Sequence, residues 1–158
     1  MPDSSRTESE TETRSALRLL VDEYSVAGDT FDGERYAALF TEDASFTAQI
    51  GDNVFLSLQG REEIAKAPQA NGPFEQTFHQ VGNQVVEIDG ACARGIVYGL
   101  ARHLLRKEDG SLESVVTPLH YRDNYVRTES GWRIAKRATH ILWYERVPVD
   151  SNGLESWT

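Results

Sequence analysis

The chain has 158 residues, of which 39% are hydrophobic and 26% charged, and its formal net charge at pH 7 is −9. These values predict one globular domain, and the acidic excess argues against nucleic acids and anionic membranes as partners, since both attract basic proteins. A lone cysteine, no signal-peptide pattern and no apolar run near the ~20 residues of a membrane span together predict a cytoplasmic protein.

The N-terminal region changes from a polar segment to an amphipathic helix. Residues 1–14 are polar, acidic and without hydrophobic periodicity, so we expect a flexible leader. From Ser15 onward apolar residues recur at helical spacing, as Leu17, Leu20, Val21 and Tyr24. Gly28 and Asp29 are expected to end this helix. Asp32 is expected to cap a second helix that buries Tyr36, Leu39 and Phe40.

The rest of the chain reads mainly as strands. Residues 44–50 and 54–58 predict a hairpin, and residues 60–66 predict a short helix that Pro68 closes. Four long strand-like runs follow, each separated from the next by a segment that ends in glycine: 76–88, 91–107, 112–127 and 132–146. These runs exceed the usual strand length, which indicates a strongly curved sheet. Residues 148–158 are expected to be a C-terminal tail.

This order of elements predicts an α+β fold spanning residues 15–147, in which the N-terminal helices pack on a curved antiparallel or mixed sheet that forms a cone. Side chains of the first helix and of the sheet would then converge inside the cone. Spacing alone does not show that Asp29 and His79 meet, but this geometry would bring Tyr24 and Asp29 to His79.

The candidate catalytic residues follow from that convergence. A histidine held by a carboxylate is the simplest cofactor-free device for moving a proton, so we assign His79 and Asp29 as candidates, with Tyr24 as a hydrogen-bond donor. Alternative structural roles are a satisfied strand histidine, a helix-ending aspartate and a core tyrosine. The four histidines lack the short spacings of zinc or facial-triad sites, so no metal or cofactor is expected.

Further residues are candidates for contact with a substrate. His103, Tyr98, His120 and Tyr121 are expected to line the cavity. Arg137 could pair with a substrate carboxylate or oxyanion, although an ordinary surface salt bridge is the commoner role for such an arginine. Trp143 is expected to cover the cavity mouth or a subunit interface. Its apolar neighbours on the exposed sheet predict self-association as a dimer or trimer.

Several motifs, taken together and in order, carry a resemblance to a known family. They are the helix with Tyr24, Asp29 and Asp32; Ala-Ala-Leu-Phe-Thr-Glu-Asp-Ala at 37–44 with Phe46; Gly-Arg-Glu-Glu-Ile at 60–64; His79 with Asn83; Asp-Gly-Ala at 89–91; and residues 125–137. Over roughly residues 13–147 the chain resembles the SnoaL-like family of the nuclear transport factor 2-like superfamily, whose fold is a cystatin-type α+β cone.

The resemblance also implies a chemistry. The placement of Tyr24, Asp29 and His79 is similar to the site of bile acid 7α-dehydratase, and Asp29 with His79 is similar to the dyad of hexachlorocyclohexane dehydrochlorinase. His103 follows His79 in the sequence near the position where scytalone dehydratase has a second catalytic histidine. These relatives imply a cofactor-free lyase, of dehydratase type, acting on a small hydrophobic cyclic or polycyclic molecule of polyketide or steroid metabolism. An isomerase or cyclase using the same dyad, and a non-catalytic small-molecule-binding module, remain alternatives.

Overall fold

The computed structural model describes residues 9–70, 72 and 74–150 of the chain. That described part contains four helices: α1 (Glu10–Asp29), α2 (Gly33–Ala38), α3 (Arg61–Ile64) and α4 (Ala67–Ala70). It also contains seven strands: β1 (Phe40–Ile50), β2 (Asn53–Gln59), β3 (Phe74–Asp89), β4 (Cys92–Arg106), β5 (Leu112–Thr128), β6 (Gly131–Ile141) and β7 (Glu145–Val149). None of the described helices is both long and apolar enough to cross a membrane.

The strands form one mixed sheet in the order β2-β1-β6-β5-β4-β3, and β7 pairs with the part of β5 that β6 leaves free. β1 and β6 run parallel, whereas the other pairs are antiparallel. The sheet curls without closing, because β2 and β3 remain its edges. The predicted α+β class and curved sheet are confirmed. The core lies inside the curl, where it includes Trp132 and Ile134.

The first helix begins earlier than its hydrophobic pattern predicted. Ser9 caps it through a reciprocal capping box: the Glu12 backbone N–H donates to Ser9 Oγ, and Glu12 Oε2 accepts from the Ser9 N–H. Such a box satisfies two backbone donors that the first helical turn leaves without partners. The prediction of a leader is therefore wrong over residues 10–14, and residues 1–8 lie outside the described part.

The C-terminal boundaries also differ from the prediction. The run expected at 132–146 is two strands, β6 and β7, joined by residues 142–144. The Leu142 N–H donates to the Pro118 carbonyl of β5, but Pro118 has no N–H to return on that side, so the ladder stops there. Pro148 and Val149 belong to β7 rather than to a tail. Pro68 lies in α4 instead of closing a helix.

Helix α1 lies along the edge strand β3 and supplies hydrogen bonds to its backbone. Arg14 Nη1 donates to the Val86 carbonyl at 3.1 Å, and Arg18 Nη1 donates to the Gly82 carbonyl at 2.6 Å. An uncovered strand edge is a template for pairing with other chains. Here the helix occupies that edge with side chains while its apolar face, including Leu17, packs into the core.

A buried ion pair joins β5 to β6 beneath the first helix. Arg137 Nε and Nη2 donate to the two carboxylate oxygens of Asp123 at 2.8 and 2.7 Å, and both side chains are fully buried. The Tyr125 hydroxyl donates to the same carboxylate at 2.6 Å. The guanidinium lies 4.0 Å from the ring centroid of Tyr24 and 4.3 Å from that of Tyr121. Arg137 is therefore neither a surface ion pair nor a free group in the cavity.

Arg137→Met should destabilise the folded protein by about 3–5 kcal/mol, because it leaves the Asp123 carboxylate buried without its cation. Urea unfolding followed by circular dichroism measures this. The double variant Arg137→Met/Asp123→Leu should recover much of the loss. Arg94→Met is the matched control, since Arg94 pairs with Glu87 at the surface and its loss should change little. Equal losses for Arg137→Met and Arg94→Met would contradict the buried-pair account.

Candidate active site

A cavity of about 230 Å³ lies inside the curl, between the sheet and helices α1, α2 and α4. Its wall is mostly apolar and aromatic, with contributions from all six strands β1 to β6. Polar groups reach it at a few places only, through two histidines, three threonines and three tyrosines: His79, His103, Thr77, Thr117, Thr139, Tyr24, Tyr36 and Tyr121. An apolar pocket with a few convergent polar groups is the usual form of a small-molecule site.

His79 lines this cavity, and Asp29 contacts the histidine from a neighbouring pocket that both residues line. Asp29 Oδ1 lies 2.6 Å from His79 Nδ1, and the two side chains are 22% and 16% exposed. Asp29 Oδ2 also accepts the backbone N–H of His79 at 2.9 Å. One carboxylate thus holds both the ring and the backbone of the same histidine. In the neutral imidazole this contact places the proton on Nδ1, which leaves Nε2 with a free lone pair.

Thr77 completes the arrangement, and sequence reasoning missed it. Its hydroxyl donates to Asp29 Oδ1 at 2.9 Å. Asp29 therefore accepts hydrogen bonds from three donors, two at Oδ1 and one at Oδ2, and these fix the orientation of its carboxylate. Thr77 and His79 are two residues apart on β3, so their side chains point to the same face of the strand. That spacing was a signal available in the sequence.

Tyr24 lies in the same cavity within an aromatic cluster. Its ring centroid is 4.6 Å from that of Tyr36 and 5.4 Å from that of Tyr121. Burial raises the pKa of the Tyr24 hydroxyl, and the positive charge of Arg137 partly opposes that rise. Burial and the neighbouring Tyr24 raise the pKa of Tyr36 well above its usual value. Both phenols therefore stay protonated at neutral pH and can donate a hydrogen bond.

His103 is the second histidine of the cavity. Its ring is perpendicular to that of His79, with the ring centroids 5.4 Å apart. Burial, reinforced by the nearby His79, lowers the pKa of His103 to about 4. His103 is consequently a neutral imidazole at physiological pH, able to donate or accept a hydrogen bond beside His79.

Four predicted substrate contacts lie elsewhere, whereas Tyr121 lines the cavity as expected. Tyr98 and His120 point to the convex face, because their strand neighbours Val97 and Tyr121 point inward and successive side chains alternate. Trp143, in the connection after β6, is 51% exposed and donates from Nε1 to Glu145. The expectation that Tyr98 and His120 line the cavity is therefore wrong. Arg137, held by Asp123, and Trp143 are likewise absent from its lining.

Within the described residues, no group of three or more His, Cys, Asp or Glu side chains is placed to hold a metal ion. The polar side chains that line the cavity are imidazoles, hydroxyls and phenols, and the Asp29 carboxylate contacts one of the imidazoles. Together they can accept a proton, stabilise the resulting imidazolium and donate hydrogen bonds to a bound oxygen.

The model of the SnoaL-like domain family matches residues 9–138, which include the helix that carries Asp29 and the strand that carries His79. The chain belongs to the SnoaL-like family. No match was found among curated protein sequences.

Several solved structures share the fold. A type 2 hexachlorocyclohexane dehydrochlorinase (LinA) is 19% identical with a TM-score of 0.74, covering 93% of this chain and 95% of that one. A putative scytalone dehydratase from Novosphingobium aromaticivorans is 22% identical, with a TM-score of 0.71 and coverages of 90% and 95%. An NTF2-like protein with a cystatin-like fold from the same organism is 23% identical, with a TM-score of 0.63 and coverages of 84% and 83%.

The low pKa of His103 predicts a pH dependence of folding. Because the unfolded chain binds a proton at His103 near pH 6.5 and the folded chain only near pH 4, stability should fall as the pH drops between these values. His103→Gln removes this contribution. The loss of unfolding free energy between pH 7 and pH 4.5, measured in urea, should be smaller in the variant by roughly 2 kcal/mol. Equal losses in the two proteins would refute the assignment.

Proposed function

We propose that the protein is a cofactor-independent lyase that eliminates a leaving group, most simply water, from a small hydrophobic cyclic molecule. The observation that carries this proposal is the contact of Asp29 with His79, a histidine that lines a largely apolar cavity. A histidine oriented by a carboxylate in such a cavity has the parts of a general base. Membership of a family whose fold neighbours include a dehydrochlorinase and a putative dehydratase supports the same reaction class.

In the proposed reaction, Nε2 of neutral His79 takes a proton from a carbon that a neighbouring carbonyl makes acidic. The electron pair of the broken C–H bond forms a carbon–carbon double bond, and the hydroxide departs with the electrons of its C–O bond. The proton on His79 then joins the hydroxide to give water, so the histidine returns to its neutral form. Asp29 stabilises the intermediate imidazolium, and a base of this kind contributes roughly 10²–10⁴-fold.

Tyr24 is assigned to the oxygen on which negative charge develops. Its phenol is protonated at neutral pH and lies in the cavity wall. A hydrogen bond from a preorganised donor to the carbonyl or to the departing hydroxyl favours the transition state more in an apolar cavity than in water. His103, a neutral imidazole beside His79, is assigned to binding the substrate.

The size of the cavity narrows the substrate class. A volume of about 230 Å³ is below the ~300–1,000 Å³ of typical drug-sized ligand pockets. We therefore propose a substrate of one or two rings rather than a large polycyclic molecule. The aromatic wall formed by Tyr24, Tyr36 and Tyr121 suits a flat ring.

The dyad is tested by Asp29→Asn and His79→Ala on one- and two-ring β-hydroxy ketones, whose dehydration produces the ultraviolet absorbance of a conjugated ketone. Asp29→Asn keeps the shape but removes the charge that stabilises the imidazolium, so we expect kcat to fall at least ~100-fold with ligand affinity retained. His79→Ala should lose as much. Asp52→Asn, in the β1–β2 turn, is the matched control and should retain full activity.

If the wild-type protein binds these ketones but does not dehydrate any of them, or if Asp29→Asn turns them over normally, the lyase proposal fails. The first result favours the non-catalytic binding module that the same fold can serve.

Self-association is also proposed, as a dimer or trimer. Large apolar side chains are exposed on the convex face and beside it, among them Tyr98, Leu142, Trp143 and Tyr144. Clustered exposed apolar side chains are unfavourable in water and typical of an interface. Light scattering at micromolar concentration should give two or three times the chain mass of 17.7 kDa. A mass of one chain would contradict this prediction.

A further inference from the structure

Gly28 lies in the last turn of α1 and lines the cavity beside His79. The residue is buried, and its backbone belongs to the helix. Glycine is less favourable than alanine in a helix, because it loses more backbone freedom on folding. A buried helical glycine at a cavity wall therefore needs either a structural or a functional reason.

Termination of the helix does not supply that reason. Helix α1 ends in a Schellman motif, in which the Phe31 N–H donates to the Gly28 carbonyl at 3.1 Å. The Asp32 N–H donates to the Ala27 carbonyl at 3.0 Å. The left-handed residue of this motif, usually a glycine, is here Phe31, with a φ of 55°. Gly28 itself has no positive φ, so its conformation suits alanine equally well.

Packing against neighbouring groups does not supply the reason either. A Cβ at position 28 would lie 3.7 Å from Tyr36 Cε2, and 3.9 and 4.0 Å from His79 Nδ1 and Cε1, which are ordinary van der Waals distances. Gly33 in α2 is different, because a Cβ there would lie 2.1 Å from the Ala65 carbonyl oxygen. The fold thus requires glycine at position 33, whereas it has room for alanine at position 28.

The absent side chain leaves space between two groups of the proposed mechanism. Tyr24 and Gly28 are four residues apart and therefore share one face of α1. The same space borders His79 Cε1, the ring atom between Nδ1, which Asp29 holds, and the Nε2 lone pair. A ring whose carbonyl accepts from Tyr24 and whose acidic carbon faces Nε2 would lie over Gly28.

We propose that Gly28 is a specificity-determining residue, whose missing side chain lets a fused two-ring ketone lie against the end of α1. The orientation of this ketone rests on the roles proposed above for His79 and Tyr24. The substrate class narrows from one or two rings to two fused rings. In a cavity of about 230 Å³, a one-ring ketone can move away from an added methyl group, whereas a two-ring ketone lacks the room.

The test compares acetophenone, which has one ring, with 1-tetralone, its fused two-ring analogue, in titrations followed by NMR. The wild-type protein should bind 1-tetralone about tenfold more tightly, because two further carbons are buried. Gly28→Ala should weaken the binding of 1-tetralone at least about tenfold and that of acetophenone less than about threefold. Ser15→Ala is the matched control: it favours the same helix at an exposed position and should change neither affinity.

Thermal unfolding of the ligand-free proteins shows whether the fold needs the glycine. Gly28→Ala should leave the Tm unchanged or raise it by up to about 2–4 °C, because alanine favours the helix and makes no close contact. Gly33→Ala should lower the Tm, because its methyl group collides with the Ala65 carbonyl. A lower Tm for Gly28→Ala would assign the glycine to folding and overturn the proposal.

The titrations can also overturn the proposal. Unchanged binding of 1-tetralone by Gly28→Ala, or an equal loss for both ketones, would show that position 28 does not select the size of the ligand. The absence of any preference for 1-tetralone in the wild-type protein, or of binding of either ketone, would contradict a two-ring substrate.

These measurements separate the role of Gly28 from the reaction itself, because none of them depends on turnover. Asp29→Asn should keep the preference for 1-tetralone even though its activity is lost. If Gly28→Ala leaves ketone binding unchanged while Asp29→Asn still abolishes turnover, the specificity role is lost and the lyase remains. If the ketones bind as expected and none is turned over, Gly28 shapes a binding site without catalysis.

Discussion

The site and a large part of the fold depend on one carboxylate. Asp29, at the end of α1, accepts the backbone N–H of His79 through one oxygen and the His79 ring and the Thr77 hydroxyl through the other. The same contacts attach the C-terminal end of α1 to the edge strand β3. Earlier in the helix, Arg18 makes a further attachment by its hydrogen bond to the Gly82 carbonyl of β3. The contacts that orient the His79 ring are therefore the same contacts that pack α1 against the edge strand β3.

A second polar system supports the cavity from below. The Arg137–Asp123 pair has no exposed surface, and its guanidinium lies against the rings of Tyr24 and Tyr121. The pair satisfies its own charges, so the cavity receives phenol groups rather than an open cation. This explains how an arginine on an inward-facing strand position can be part of the core. The titratable side chains of the cavity wall are consequently the two histidines, on β3 and β4, and the phenols of Tyr24, Tyr36 and Tyr121.

The sequence was sufficient to predict the architecture and the meeting of Asp29 with His79, because a helix end and a strand that pack together leave few places for their side chains. It was insufficient to predict which face of a strand a side chain occupies and where some elements begin or end. Tyr98 and His103 are five residues apart on β4, and an odd separation on an unbroken strand places two side chains on opposite faces. Both therefore could not line one cavity. Likewise the capping box at Ser9 extends α1 through residues whose acidic composition resembled a disordered leader. Burial of Arg137 depended on Asp123, a partner on another strand that no local pattern revealed.

The parallel pairing of β1 with β6 has a consequence for how the molecule reaches this structure. β1 lies between β2 and β6, yet the β6 residues that pair with it follow it by some ninety positions in the chain. During synthesis the β1–β2 hairpin is completed long before its second neighbour exists, so one side of β1 waits unpaired. Long-range closure of this kind favours slow folding and prolongs the interval in which unfinished chains can associate with each other or with a chaperone. The cavity forms only when β6 is in place, which makes ligand binding a late event in the folding of this chain.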